Sequence, residues 1–224
     1  MRGVDVDIAC ATRFDLNVMV TGENGVGKRF IGERIHRQSR RAGAPFVVVR
    51  SPNAADSADA LDRALIEAAP DGSVFLEEAG RMTLPMQSRL QRFIERGETR
   101  GYDLRRAVHG NDLRLITAAS NDLLTLVRLD QFGACLFYRL NLIHLIIPPL
   151  RDRREDIPVL MRHFLSLSTA PTVPRPSTAA WQRLIAYPWP GNLRELRRVG
   201  EMLASWELLH PIEPDDLPAI IAGC

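Results

Sequence analysis

Short apolar runs alternate with helical patterns along the N-terminal part of the chain. Five runs predict buried strands, because each is apolar and bounded by glycine, proline or polar residues: LNVMVTG, APFVVVR, GSVFLEEAG, DLRLITAASN and LIHLIIPPL. Two of the intervening segments place their apolar residues on one helical face: Phe30, Ile31 and Ile35 in the first, and Leu61, Ala64, Leu65 and Ala68 in the second. Strands that alternate with helices predict an α/β fold, in which a parallel sheet is flanked by helices.

The pattern changes after Pro148 and Pro149, where the strands stop and only helical spacing follows. The segments REDIPVLMRHFLSL and STAAWQRLIAYPWPGNLRELRRVGEMLASWELL are helical in pattern, and the proline-rich APTVPRPS separates them. We therefore predict an α/β domain over residues 1–149 and a small all-α domain over residues 150–224.

Composition narrows the class of protein. The chain has 224 residues, of which 46% are hydrophobic and 25% charged, enough to bury a core. A formal net charge of +2 is too small to indicate a nucleic-acid partner. Three cysteines, far apart in sequence, favour neither disulfides nor a zinc site, and no apolar run reaches the roughly 18 residues that span a membrane. These features predict a globular, cytoplasmic protein without membrane contact.

The segment GENGVGKR lies between a predicted strand and a predicted helix. It places Gly22, Gly27 and Lys28, the only lysine of the chain, in the G-x-x-x-x-G-K frame of a phosphate-binding loop. Glycines let backbone N–H groups converge on an anion, the helix adds a favourable dipole, and the lysine reaches the β- and γ-phosphates. The residues predicted to bind a nucleotide are Gly22, Glu23, Asn24, Gly25, Val26, Gly27, Lys28 and Arg29. The alternative is an ordinary glycine-rich turn.

The third predicted strand ends in two acids, as SVFLEE. In that position after a phosphate loop, Glu77 is predicted to hold Mg²⁺ through water, and Glu78 to polarise the attacking water. The alternative is a pair of surface acids at a strand end. Arg29 departs from the phosphate-loop pattern, since a Ser or Thr normally follows the lysine and binds magnesium.

Nearly the whole chain resembles the AAA+ domain of sigma-54-dependent transcriptional activators, the bacterial enhancer-binding proteins. The segments that carry the resemblance are VMVTGENGVGK, SVFLEEAGRMTLPMQSRLQRFIERGE, LRLITAASNDL, LFYRLNLIHLIIPPLRDRREDIPVL and YPWPGNLRELRRV. The resemblance implies an α/β nucleotide-binding domain with a helical lid, ATP and Mg²⁺ as cofactors, and assembly into a ring. It also implies that Asn121 reads the γ-phosphate, Arg139 reaches into the neighbouring subunit's site, and the lid residue Arg194 contacts bound nucleotide.

Three departures from the family pattern bear on activity. The family's Gly-Ala-Phe-Thr-Gly-Ala loop, which grips the sigma factor, is absent from the short interval between the second and third strands. Gly133 stands where the family has a first trans arginine, and Glu77 stands where it has Asp. We therefore expect ATP binding to survive better than hydrolysis, and no direct engagement of sigma-54.

Three hypotheses follow for the activity. The chain is a ring ATPase of reduced activity that remodels a transcription complex, or a nucleotide-gated oligomerisation module that does not hydrolyse ATP, or a truncated gene product without activity. Its own copies are the first expected partner, and the transcription machinery or another activator the second. We find no helix-turn-helix pattern for DNA binding in this chain, which would fit a fragment of a longer protein.

Overall fold

The structure, a computed structural model, describes residues 2–50, 57–68, 71–96, 98–99, 102–103, 113–120, 122–167, 175–206 and 210–223. The chain forms two compact units. The first comprises Met1–Gly22 and Lys28–Ile147, and the second comprises Glu23–Gly27 and Pro148–Cys224. The middle of the glycine-rich loop therefore belongs to the same unit as the C-terminal helices.

The five predicted strands form one parallel sheet in the first unit, as the sequence pattern predicts. The strands in chain order are β1 (Val18–Thr21), β2 (Phe46–Val49), β3 (Ser73–Leu76), β4 (Glu98–Thr99), β5 (Tyr102–Asp103), β6 (Arg114–Ala119) and β7 (Ile143–Ile146). The sheet order is β2-β3-β6-β1-β7, while β4 and β5 form a separate antiparallel pair. Because β3, β6 and β1 are neighbours and parallel, their carboxyl ends lie side by side.

Six helices belong to the described part of the first unit. They are α1 (Arg2–Arg13), α2 (Lys28–Gln38), α3 (Ser57–Ala68), α4 (Leu84–Arg96), α5 (Leu123–Arg128) and α6 (Ala134–Leu140). The sequence pattern does not predict α1, α5 or α6. The last two are six and seven residues long, too short for a helical period to stand out.

The predicted core faces are correct for α3 and partly wrong for α2. All four apolar residues predicted on α3 are buried, and so are Ile31 and Ile35 on α2. Phe30, however, is 66% exposed. Ile31 and Ile35 are i, i+4 neighbours on one face of the helix. Phe30 directly precedes Ile31, and the rotation between successive residues of a helix turns it away from that face.

A charge cluster around Asp15 holds the segment after α1 against the residues that follow α2 and against the start of β6. The carboxylate of Asp15 accepts hydrogen bonds from Arg41 Nε at 2.8 Å and Arg40 Nε at 3.0 Å. Arg114, wholly buried at the start of β6, donates from Nε to the Leu16 carbonyl at 2.9 Å. Burial alone would raise the pKa of Asp15, but the hydrogen bonds from Arg41 and Arg40 outweigh it and lower the pKa to about 2.

The second unit is helical and has its own hydrophobic core. Its helices are α7 (Ile157–Ser166), α8 (Thr178–Ala186), α9 (Asn192–Ser205) and α10 (Ala219–Ala222), with 3₁₀ turns at Leu150–Asp152, Arg154–Asp156 and Pro214–Asp216. Trp189, between α8 and α9, is wholly buried and donates from Nε1 to the Leu184 carbonyl at 2.8 Å. Within the described ranges, no helix is both long and apolar enough to cross a membrane.

The Asp15 cluster predicts a stability term that depends on pH. Asp15 has a folded pKa of about 2 against an ordinary 3.8, so its contribution is present above the ordinary value and is lost as the pH falls toward 2. Asp15→Asn should therefore lower the free energy of unfolding by about 2 kcal/mol near neutral pH. Urea unfolding of both proteins from about pH 7 down to about pH 2 measures the difference, which should shrink below about pH 4. A difference that stays constant with pH would contradict this account.

Candidate functional site

The loop that joins β1 to α2 depends on two glycines. Gly25 has φ +81° and Gly27 has φ +99°, a left-handed backbone that side chains rarely adopt. A Cβ atom on Gly25 would lie 2.3 Å from the Gly191 carbonyl oxygen, and one on Gly27 would lie 3.2 Å from Leu193 Cδ1. The glycine frame seen in the sequence thus has both a conformational and a packing cause.

Three consecutive carbonyls of the loop accept hydrogen bonds inside the second unit. Asn192 Nδ2 donates to the Asn24 oxygen at 3.0 Å, and the Leu193 N–H donates to the Gly25 oxygen at 3.0 Å. The Val26 oxygen accepts from Arg153 Nη2 at 3.1 Å. The backbone of residues 24–26 is therefore held by side-chain and main-chain donors of the helical segments.

In the first unit, a chain of hydrogen bonds joins the carboxyl ends of β1, β3 and β6. Lys28 Nζ donates to the Gly22 carbonyl at 2.9 Å and to Ser120 Oγ at 2.5 Å. Ser120 Oγ in turn donates to Glu78 Oε1 at 2.6 Å, and Lys28 Nζ lies 3.5 Å from that same oxygen. Ligands of open α/β sheets bind outside the carboxyl ends of the strands, which is where this group lies.

Glu78 holds its position through the backbone as well as through Ser120. Its φ is +51°, an uncommon value for a residue with a side chain. Such outliers cost free energy and cluster at functional sites. The turn that begins the 3₁₀ segment Ala79–Arg81 thus aims Glu78 at Ser120.

Glu77 and Arg29 have charged partners of their own. Glu77 Oε2 lies 3.9 Å from Arg50 Nε, and Arg29 Nε donates to Glu33 Oε1 at 3.0 Å. In the described part of the chain, no three His, Cys, Asp or Glu side chains group closely enough to hold a metal ion by themselves. Mg²⁺ commonly binds one or two carboxylates together with substrate phosphates, and adjacent Glu77 and Glu78 fit that donor set.

The remaining predicted residues lie apart from this group or outside the description. Arg139, on α6, is half exposed and lies 3.5 Å from Glu95 Oε1 through Nη2. Arg194, on α9, lines a cavity of about 650 Å³ in the second unit together with Asn24. The prediction for Asn121 falls on a residue outside the described ranges.

Two polar residues of the site escape the sequence analysis. Ser120 links Lys28 to Glu78, and its only signal is its place directly before Asn121 at the end of a strand. Asn192 contacts the loop from α9, and its signal is the Gly-Asn pair within WPGNLREL. Neither type of residue is unusual at a strand end or a helix start, so sequence gives no reason to select them.

The sheet order and the glycine loop after β1 define the class, a P-loop nucleotide-binding fold of the AAA+ type. A family model described as the Sigma-54 interaction domain matches residues 1–61 and 51–146, and one described as the AAA+ ATPase lid domain matches residues 151–223. The chain belongs to the family of sigma-54 interaction domains, which confirms the resemblance carried by its motifs.

Two relatives illustrate the similarity in sequence. The chain is 35% identical over 237 residues to the regulatory protein AtoC of Escherichia coli (strain K12), covering 97% of this chain and 51% of AtoC. It is 36% identical over 211 residues to the DNA-binding transcriptional regulator NtrC of Bradyrhizobium sp. (strain RP501 Parasponia), covering 85% of this chain and 43% of NtrC. The chain thus spans about half the length of the curated relatives it matches.

Solved structures show the same fold. NtrX from Brucella abortus in complex with ATP superposes with a TM-score of 0.85 at 27% identity, over 99% of this chain and 55% of NtrX. RuvB of Thermotoga maritima superposes with a TM-score of 0.66 at 15% identity, over 95% of this chain and 66% of RuvB. The second match shows the fold alone.

Gly25 gives a test of the loop's packing. Gly25→Ala should lower the free energy of unfolding by about 1–3 kcal/mol, because the side chain needs a strained φ and collides with the Gly191 carbonyl. Gly223→Ala, also in the second unit, is the matched control, since its Cβ would make only an ordinary 3.5 Å contact. Urea unfolding measures both, and equal stabilities for the two variants would show that the close approach at Gly25 is not required.

Proposed function

We propose that this chain binds ATP through residues 22–29 and, on binding it, assembles with its own copies. The observation that carries the proposal is the hydrogen-bonded group of Lys28, Ser120 and Glu78 at the carboxyl ends of three neighbouring strands. Lys28 ends a loop with the sequence pattern of a phosphate-binding loop, and Gly25 and Gly27 in that loop have positive φ. The related NtrX of Brucella abortus has been solved with ATP and with ADP, which supports the choice of nucleotide.

Lys28 supplies the positive charge for the β- and γ-phosphates. Its side chain is only 9% exposed, and the loop carbonyl of Gly22 and the Ser120 hydroxyl accept its hydrogen bonds. An ionised phosphate oxygen makes a stronger, charge-assisted bond than a neutral carbonyl does. A triphosphate therefore competes successfully for the ammonium group that Gly22 and Ser120 hold in place.

Glu78 is the proposed general base that polarises the attacking water. Ser120 fixes one of its carboxylate oxygens, and the left-handed backbone fixes its direction. A base that is already positioned loses little free energy in reaching its reactive geometry. Glu77 would hold Mg²⁺ through water, and the bound ion would neutralise charge on the β- and γ-phosphate oxygens.

Arg139 and Arg194 are the proposed arginine contacts to nucleotide, and Asn121 the proposed sensor of the γ-phosphate. The half-exposed position of Arg139 on α6 supports a role toward a neighbouring copy of the chain. Arg194 and Asn24 line the same cavity in the second unit, which supports a nucleotide contact by Arg194.

Hydrolysis is proposed to be slow. An arginine finger contributes about 10³ to 10⁵ in turnover, and Gly133 removes one of the two that the family pattern supplies. Glu77 is longer than Asp by one methylene, which displaces its carboxylate by about 1 Å, and a misplacement of about 1 Å can lower the rate about a hundredfold. The second candidate function, a nucleotide-gated oligomerisation module without turnover, is favoured by Arg29, whose side chain pairs with Glu33 where the loop pattern has a magnesium-binding hydroxyl.

We also propose that this chain does not engage sigma-54 directly. The interval from β2 to β3 runs from residue 50 to residue 72 and already contains α3. No Gly-Ala-Phe-Thr-Gly-Ala sequence occurs in that interval, which supports the absence of the gripping loop. A partner in the transcription machinery, or another activator of the family, is proposed from family membership alone.

Lys28→Ala tests nucleotide binding. Loss of a charged hydrogen-bond donor costs about 1.5–3 kcal/mol, so the Kd for ATP should rise by about tenfold to a hundredfold or more. Arg37→Ala is the matched control, because Arg37 lies on the same helix with a side chain that is 75% exposed. Isothermal titration with ATP measures both, and an unchanged Kd in Lys28→Ala would remove the phosphate-loop assignment.

Steady-state ATP turnover tests the catalytic part. Turnover per subunit should rise with protein concentration if Arg139 acts in a neighbouring subunit, and it should vanish in Glu78→Gln, which cannot act as a base. ATP binding without turnover at any concentration would instead support the oligomerisation module. Turnover that is independent of concentration would contradict a role for Arg139 in a neighbouring copy.

Binding to sigma-54 tests the target. Purified protein with ATP, or with an ATP transition-state analogue, should not bind sigma-54 in a pull-down. If this chain did bind sigma-54, the proposal that it lacks the sigma-gripping function would be wrong.

A further inference from the structure

Asn192 occupies an unusual position at the start of α9. It is wholly buried, and its φ is +52°. Asparagine is among the residues that tolerate this left-handed backbone best. The turn before it is held tightly, because the Asn192 N–H donates to the Trp189 carbonyl at 2.8 Å and Trp189 itself has φ +51°. This strained turn, in which Trp189 and Asn192 are buried, thus presents the Asn192 side chain in one orientation.

The Asn192 side chain makes three hydrogen bonds, all within the second unit. Its Oδ1 accepts from the Leu150 N–H at 2.7 Å, in the first turn after the sheet-forming part of the sequence. Its Nδ2 donates to the Asn24 carbonyl at 3.0 Å and to Glu23 Oε2 at 3.1 Å. One amide therefore ties two successive residues of the glycine loop to the beginning of the helical segment.

Glu23 is held from a second side by Arg151. Arg151 Nη1 donates to Glu23 Oε2 at 2.8 Å, and the two groups form an ion pair. The hydrogen bonds from Arg151 and then from Asn192 lower the pKa of Glu23 to about 2. Glu23 therefore remains a carboxylate, and an acceptor for Asn192, throughout the neutral range.

The direction of the held carbonyls decides where the loop's amides point. In a trans peptide the C=O of one residue and the N–H of the next point in opposite directions. The carbonyls of Asn24 and Val26 point toward donors of the helical segments. The N–H groups of Gly25 and Gly27 consequently point away from those segments, as a loop that binds an anion through its backbone amides requires.

We propose that Asn192 is a positioning residue of the phosphate loop, holding Glu23 and Asn24 so that the amides of Gly25 and Gly27 face a bound phosphate. The inference rests on the proposed function, ATP binding at residues 22–29. It adds a requirement that the loop motif does not contain, namely that a buried amide on α9, far away in sequence, sets the affinity of the loop for phosphate.

Asn192→Asp is the sharpest variant. Aspartate keeps the size, tolerates the left-handed backbone and still accepts from the Leu150 N–H. It replaces the donor with an oxygen that faces the Asn24 carbonyl and the Glu23 carboxylate, so the loop is repelled rather than held. We expect the Kd for ATP to rise at least about tenfold, roughly the loss of one hydrogen bond to a charged or tightly held group.

Two further readouts separate positioning from general stability. In ¹⁵N NMR spectra, ATP should shift the Gly25 and Gly27 amide resonances of the wild-type protein but not those of folded Asn192→Asp. The double variant Glu23→Gln with Asn192→Asp restores a donor and acceptor pair between the two side chains and removes the repulsion between their carboxylates, while the contact with the Asn24 carbonyl stays unfavourable. It should recover part of the affinity, whereas Glu23→Gln alone should stay closer to wild type than Asn192→Asp does.

Arg151→Gln is the second variant, for use if Asn192→Asp unfolds. Its side chain is 41% exposed, so the fold should tolerate the change. Loss of the exposed ion pair with Glu23 should weaken ATP binding about twofold to fivefold.

The outcomes distinguish this inference from the function beneath it. If the wild-type protein binds ATP and a folded Asn192→Asp has an unchanged Kd, the positioning role alone is overturned. If Asn192→Asp unfolds, an unchanged Kd in Arg151→Gln overturns it instead. Failure of the wild-type protein to bind ATP would overturn the proposed function and this inference together. A raised Kd for ATP in Asn192→Asp, together with Gly25 and Gly27 amide resonances that ATP does not shift, supports the inference.

Discussion

The hydrogen bonds from Lys28 to Ser120 and from Ser120 to Glu78 are the interactions on which the candidate site depends. They exist because β1, β6 and β3 are adjacent and parallel, so that residues far apart in sequence end at one edge of the sheet. A charged lysine that is 9% exposed needs such partners, since a buried charge without them is costly. The apolar strands therefore do more than form a core, because their register places a cation and a carboxylate within one network.

The glycine loop shows a second constraint, in which conformation and packing act on the same residues. Gly25 has no room for a side chain beside Gly191, and its positive φ would strain one. The carbonyls of residues 24–26 are held by Asn192, Leu193 and Arg153. Because these carbonyls are held, the N–H groups of the same peptides are oriented as well. The helical unit therefore contributes, together with the glycines, to the orientation of the loop's amides.

Much of the fold follows from the sequence, because strand runs and helical stripes have a clear period. All five strands of the sheet and the buried face of α3 are predicted correctly. Phe30 is the exception, since its neighbours Ile31 and Ile35 define the buried stripe without it. The short α5 and α6 carry too few residues for a period. Ser120 and Asn192 could not be predicted for another reason, because their roles arise from contacts with residues far away in sequence. Ser120 lies 92 positions from its partner Lys28, and Asn192 lies 168 positions from its partner Asn24.

We propose above all that the loop binds a nucleotide through its phosphates. Calorimetric titration of the wild-type protein with ATP and with adenosine tests it most directly, because the two ligands share the base and ribose and differ in the phosphates. We expect saturable binding of ATP and a much weaker affinity for adenosine, since the proposed contacts of Lys28 and the loop amides are to the phosphates alone. Equal affinities for the two ligands, or no binding of ATP, would contradict it.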